Sequence, residues 1–176
     1  MKNIRVLNVI CICLLLFICG CSNTSKQEDD AYIYSYGGLH LVKADGWEIQ
    51  DMSDKDGSFL YYSDNGVINI YFRQIEGMDE EELADYMRNV MPDYMEEGIK
   101  NQGYENITIV PSKVMINDNY FPACFATYEY GEEAIEECVF AQLVGDEIMM
   151  VDISAFREST APELLEMFYY YENRQY

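Results

Sequence analysis

SFLYYSDNGVINIYFRQI, residues 58–75, places two runs rich in β-formers on either side of Asn65-Gly66. Asn-Gly is the strongest short hairpin signal, because both residues tolerate the positive φ of a primed two-residue turn. A loop at Asn65-Gly66 sets Phe59 opposite Phe72, Tyr61 opposite Ile70 and Ser63 opposite Ile68. Those side chains share one face, which belongs on a core, while Asn69, Tyr71 and Arg73 take the other. The stretch therefore predicts an antiparallel sheet with at least one covered face.

Upstream, Tyr32, Tyr34 and Tyr36 alternate before Gly37-Gly38, and Leu39 and Leu41 alternate before Asp45-Gly46 and Trp47-Glu48-Ile49. These read as an extended segment and two short strands. Residues 51–57 read as a polar loop. Downstream, Asp79 with Glu82 three positions on is a capping box. After it, Leu83, Met87, Val90, Tyr94 and Ile99 recur at helical spacing, with Met91 and Met95 beside them. The spacing predicts one helix kinked at Pro92, or two that nearly abut, ending near Gly103. Strands resume at residues 106–116 with a break expected at Pro111, turn at 117–119, and continue over 121–130, 134–144 and 147–156. The turn Gly145-Asp146 sets Phe140 opposite Val151 and Cys138 opposite Ile153 on one face, Ala141 opposite Met150 and Leu143 opposite Ile148 on the other. Both faces are apolar, so this sheet needs cover on each side. A second capping box, Thr160 to Glu163, precedes Leu164, Leu165, Phe168, Tyr169 and Tyr171, which predict a C-terminal helix as the second cover. The expected fold class is α+β, a mainly antiparallel sheet with a long helix and a C-terminal helix packed on it.

This layout resembles the PsbP-like fold, through Gly38-Leu39-His40-Leu41, the Asp45-Gly46-Trp47 turn, the Asn65-Gly66 hairpin, the Leu83 helix and the three-strand meander. The resemblance spans residues 32–172, with Ala44-Asp45 where members commonly carry a proline. It implies a binding or assembly protein, since members of the fold are mostly of that kind, and transfers no specific function.

The N-terminus carries a different signal. Lys2 and Arg5 precede an apolar run over residues 6–19, interrupted by Asn8. Spanning a bilayer takes about 20 apolar residues, so the run is short for a crossing helix and fits a secretory signal peptide. Its exit, Ile18-Cys19-Gly20-Cys21, resembles the bacterial lipobox, with Cys19 in a place where Ala or Ser is usual. The resemblance implies cleavage before Cys21, lipid on its sulfur (a diacylglyceryl group, with palmitate as a typical chain), and attachment to the extracytoplasmic face of the cell membrane. An uncleaved anchor helix is the alternative. A redox pair of Cys19 and Cys21 fits less well, since such pairs have two intervening residues within a folded domain. The expected organisation is thus a signal peptide at 1–20, lipidated Cys21 with a flexible tether through 31, and one α+β domain over 32–176.

Acids outnumber Lys and Arg by 32 to 11, for a formal net charge of −21. Such a surface repels nucleic acid and anionic headgroups and favours solubility and cationic partners. Tyr is abundant, with 16 residues, which suits half-buried strands and equally suits a sugar- or peptide-binding cleft.

Few residues suggest chemistry. Cys124 and Cys138 are equidistant from Gly131, so pairing symmetric about that residue sets them face to face. Opposed strand residues have Cβ atoms about 4.5–5.5 Å apart, near enough for a disulfide after modest adjustment. A structural disulfide is expected, with two packed free thiols as the alternative; nothing suggests the thiolate activation of a catalytic pair. Glu129, Glu132, Glu133, Glu136 and Glu137 crowd the same hairpin and read as a solvated loop, or else as a cation- or basic-partner site. Asp54-Lys55-Asp56-Gly57 matches half a calcium loop, but the end positions fall on Met52 and Ser63, and Met52 offers no oxygen. His40 is the single histidine, which argues against a His-based zinc cluster. No phosphate-binding glycine loop or nucleophile elbow occurs, and no cofactor is implied. The expected function is a non-catalytic binding or assembly module of the cell envelope, with an envelope protein as partner. A small-ligand binder for sugar, peptide or cation is the second reading, and a hydrolase with paired carboxylates the third.

Overall fold

The computed structural model describes residues 31–50, 59–75, 77–156 and 159–171. The expected signal peptide, Cys21, most of the expected tether and the loop with Asp54-Lys55-Asp56-Gly57 lie outside the described residues. In chain order the elements are β1 (Tyr32–Tyr36), β2 (Leu39–Val42), β3 (Glu48–Gln50), β4 (Phe59–Ser63), β5 (Gly66–Gln74), α1 (Glu80–Asn89), α2 (Met91–Asn101), β6 (Glu105–Ile116), β7 (Asn119–Tyr130), β8 (Glu133–Val144), β9 (Glu147–Phe156), α3 (Ala161–Leu165) and β10 (Phe168–Tyr170). Seven strands form one sheet in the order β3-β4-β5-β9-β8-β7-β6, and β1-β2-β10 form a second. Every described strand pairing is antiparallel, so the chain is α+β as expected.

The large sheet is covered on both faces. Under α1 and α2 lie Cys124, Ala126, Tyr128, Val139, Ala141, Ile148 and Met150. The helices answer with Leu83, Met87, Met91, Met95 and Ile99, one buried residue every four, continuous across Pro92. Proline is tolerated there because α1 ends at Asn89 and Pro92 falls in the first turn of α2, where N–H groups have no intrahelical acceptor. Val90 and Tyr94, expected in the core, face solvent at 38% and 58% exposure, and Met91 and Met95 take their places. On the opposite face, Phe140, Met149, Val151 and Ile153 pack against Leu39, Leu41, Phe168 and Leu164.

That second cover differs from the expected C-terminal helix. Thr160 and Glu163 do form the capping box, but α3 has only five residues. Phe168, Tyr169 and Tyr170 then pair with Leu41, His40 and Leu39, and the Tyr171 N–H donates to the Gly38 carbonyl at 2.9 Å. The aromatic run completes the edge of β2, which helix continuation would leave open.

Hairpin registers divide into met and corrected expectations. The Gly145-Asp146 turn gives the four expected pairs, with Gly145 at φ +64°. At the first hairpin the loop is Asp64-Asn65: Ser63 lies opposite Gly66, Tyr61 opposite Ile68 and Phe59 opposite Ile70. The slip is two residues, so the buried face is unchanged. Gly66 is not in the left-handed region; a Cβ there would meet Leu164 Cδ1 at 2.6 Å and the Ser154 carbonyl at 2.9 Å. It is a close-packing glycine beneath α3 rather than a turn glycine. The β6–β7 turn is built on two left-handed residues that are not glycine, Asn117 at φ +47° and Asp118 at +64°. Pro111 does not break β6, because β6 is the sheet's edge strand and Pro111 is exposed there.

Candidate functional site

The β7–β8 loop is the two residues Gly131-Glu132, with Tyr130 opposite Glu133. This moves the register by one from the symmetric pairing and overturns the expected disulfide. Cys124 lies opposite Val139 and Cys138 opposite Phe125, so the two cysteines point to opposite faces of the sheet, one toward α1 and the other toward the small sheet. Both are buried free thiols. Burial pushes the Cys124 thiol up to about 11 and Cys138 up as well, so neither is a nucleophile at neutral pH. Cys124 Sγ donates to the Met87 carbonyl at 2.8 Å, one of the acceptors that the end of α1 leaves without an intrahelical donor.

The five hairpin glutamates do not converge. Glu129 accepts from Asn106 Nδ2 at 2.6 Å, Glu132 and Glu133 face solvent, and Glu136 Oε2 accepts from the Ala161 N–H at 3.1 Å. Glu137 turns under the helices and accepts from the Tyr128 hydroxyl. One row along on that face is Asp152, opposite Val139 on one side and Asn69 on the other. Desolvation, then the Glu137 charge, pushes Asp152 up to about 8, and desolvation raises Glu137 too. Tyr71 is pushed up to about 12 by burial and then by Asp152. The Asp152 and Asn69 Oδ1 atoms are sealed and without partners. Sequence reading missed this acid pair, because only the register shows which glutamate turns inward. No group of three metal-ligating side chains occurs among the described residues. His40 sits on the outer face of the small sheet, its Nδ1 2.9 Å from Ser35 Oγ, between the rings of Tyr32 and Tyr171.

The site with the most converging elements lies between α1 and the β6–β7 hairpin. Two cavities meet there, of about 410 and 380 Å³, sharing Ala84, Lys113 and Pro122. Ala84 is small enough to leave a groove beside the helix. Arg88 lines the first cavity and Lys113 both. Among the described residues Lys100–Glu96 is the only ion pair, so neither of these two cations is ion-paired, although Glu80 lines the second cavity with Lys113. The second cavity reaches Gln142, which is 8% exposed; its Nε2 donates to the Gly37 carbonyl at 2.8 Å, while its Oε1 is sealed and unpartnered. An unmet buried acceptor costs roughly 1–3 kcal/mol. A hollow of about 720 Å³ on the outer side of α1 is lined by residues 75–90 alone, without contributions from distant elements. Neither Glu137 nor Asp152 lines the groove.

No family model matches the chain, and comparison with curated proteins gives no match. Among solved structures it is similar to PsbP from the cyanobacterium Synechocystis, at 12% identity and a TM-score of 0.47 over 86% of this chain and 100% of that one. It is also similar to a variant of the protein Mog1, at 11% identity and 0.46 over 81% and 96% of the two chains. A third is LpqN, involved in cell envelope biogenesis of Mycobacterium tuberculosis, at 10% identity and 0.39 over 73% and 75%. These likenesses say nothing of chemistry or partners, and the α+β class rests on the chain's own topology. No helix among the described residues is long and apolar enough to cross a membrane.

Proposed function

We propose that the chain is a lipoprotein anchored through Cys21 on the extracytoplasmic face of the cell membrane, where it serves as a non-catalytic binding or assembly module of the envelope. Its partner docks in the groove between α1 and the β6–β7 hairpin. The observation that carries this reading is the groove itself: Arg88 and Lys113, neither of them ion-paired, beside the buried and half-satisfied Gln142. Unpaired cations are what a partner of opposite charge neutralises on docking. The test is crosslinking in intact envelopes from a photoreactive residue placed at Ala84, in the otherwise native protein and with Arg88→Glu and Lys113→Glu. The expected result is one discrete adduct, lost on charge reversal; an adduct unchanged by reversal moves the partner elsewhere. The small-ligand reading keeps one specific support, the Tyr32, His40, Tyr169 and Tyr171 rings on the outer face of the small sheet, a surface suited to stacking on sugars. A thermal shift with sugars that is lost in Tyr169→Ala tests it.

A further inference from the structure

The β7–β8 ladder ends at Ala123 opposite Phe140, although β7 begins at Asn119 and β8 continues to Val144. Continued in register, Pro122 would face Ala141 and Asn119 would face Val144. Instead this part of β7 stays with β6, down to Ile116 opposite Asn119, and this part of β8 stays with β9, up to Val144 opposite Glu147. Pro122 has no N–H to continue the ladder. Each strand keeps one partner and turns its other edge to the gap. The 380 Å³ cavity is that gap, with residues 119–122 on one wall and 141–143 on the other.

We propose that this split takes the C-terminal end of an extended peptide, which enters as a short strand and presents its carboxylate to Lys113 and Arg88. The proposal rests on the docking reading above and gives the partner's chemistry. A free strand edge recognises an extended backbone whatever its side chains, which is the basis of strand addition. The gap closes where Ala123 and Phe140 pair, so a guest strand running in from the open end finishes there. Lys113 lies opposite Pro122, at that closed end, and Arg88 lines the adjoining cavity. A chain terminus, with its carboxylate last, suits a dead end with cations at its head. Four strand residues span about 13 Å, so three or four guest residues fill it. Tyr120, 68% exposed beside the cavity, supplies an apolar face for the guest.

The experiment uses the full-length lipidated protein in detergent, with a randomised tetrapeptide library bearing free C-termini and the same library amidated. Retained peptides are identified by mass spectrometry, resynthesised and titrated. Free-acid peptides are expected to be retained, to bind at least tenfold more tightly than their amides, and to weaken at least tenfold in Lys113→Gln with Arg88→Gln. Both side chains are exposed, so a circular dichroism spectrum matching the native protein confirms that the variant folds. Bound peptide should slow hydrogen exchange at the amides of residues 141–144. Equal binding of amidated peptides, slowed exchange confined to other strands, or displacement by an equal concentration of acetate would each overturn the proposal. If no peptide is retained while the Ala84 crosslink persists, the peptide terminus is wrong and the docking reading stands. If the crosslink is absent as well, both fall.

Discussion

Cys124 joins a strand to the end of a helix, and its chemistry derives from that position. Its thiol is committed to the Met87 carbonyl, 2.8 Å away, and burial holds it protonated. Neither Cys124 nor Cys138 should react with a soluble thiol reagent at neutral pH in the native protein, and both should titrate in denaturant. The melting temperature should not change with reductant; a reductant-dependent fall would restore the disulfide. Cys124→Ala removes the donor and part of the packing and should cost about 1–3 kcal/mol, read by chemical denaturation. Asp152 gives a pH prediction. Its folded value of about 8 lies above the ordinary 3.8, so between those limits the folded chain holds a proton that the unfolded chain has released. Stability therefore falls as pH rises from about 4 to 8. Asp152→Asn removes most of that slope and should leave the variant more stable than the native protein at pH 8, by about 1–3 kcal/mol. A native protein whose stability is flat over this range would show that the pair is solvated.

Among the elements, the first hairpin separates what sequence carries from what it does not. Asn65-Gly66 reads locally as a positive-φ turn, and that reading yields the strands and their buried face. The loop itself falls one residue earlier, because Gly66 is needed for a contact with Leu164, almost one hundred positions away. Gly66→Ala should accordingly cost about 1–3 kcal/mol in thermal unfolding, through overpacking rather than backbone strain. Gly46→Ala, at φ +79° with open space around it, should cost about 1 kcal/mol through strain alone. At the β8–β9 turn the glycine was enough: Gly145 fixed the register because its requirement is local, whereas Gly131, also at positive φ, left the β7–β8 register open by one residue. The capping boxes at Asp79 and Thr160 were legible for the same reason. The aromatic segment after α3 was not, since Leu164, Leu165, Phe168 and Tyr169 satisfy helical spacing while the vacant edge of β2 decides in favour of a strand. The groove was the least visible. Pro122, Lys113 and Gln142 stand in the sequence with nothing to connect them until β6 draws the start of β7 away from β8.

At the scale of the whole molecule the question is what would hold this chain at a membrane, as the proposed function requires. With 32 acids and a formal charge of −21, its surface is repelled by anionic headgroups, so electrostatic adsorption works against retention. Lipid on Cys21 is different in kind, because two or more acyl chains give stable anchoring that salt does not weaken. The two modes respond oppositely to simple washes. Membranes carrying the native protein should keep it through high salt and release it only to detergent. Cys21→Ser should move it into the soluble fraction, or leave it as an unprocessed precursor, in both cases without incorporating labelled palmitate. Release of the native protein by salt would indicate adsorption through a partner. Retention of Cys21→Ser as a processed, unlabelled protein would indicate a different anchor. The measurement also bears on the groove, since a domain held by a tether of about ten residues samples a shell no more than about 35 Å from its anchor. A partner docking between α1 and the β6–β7 hairpin has to present its end within that reach plus the width of the domain, and lengthening the tether should weaken the Ala84 crosslink without altering the affinity measured in detergent.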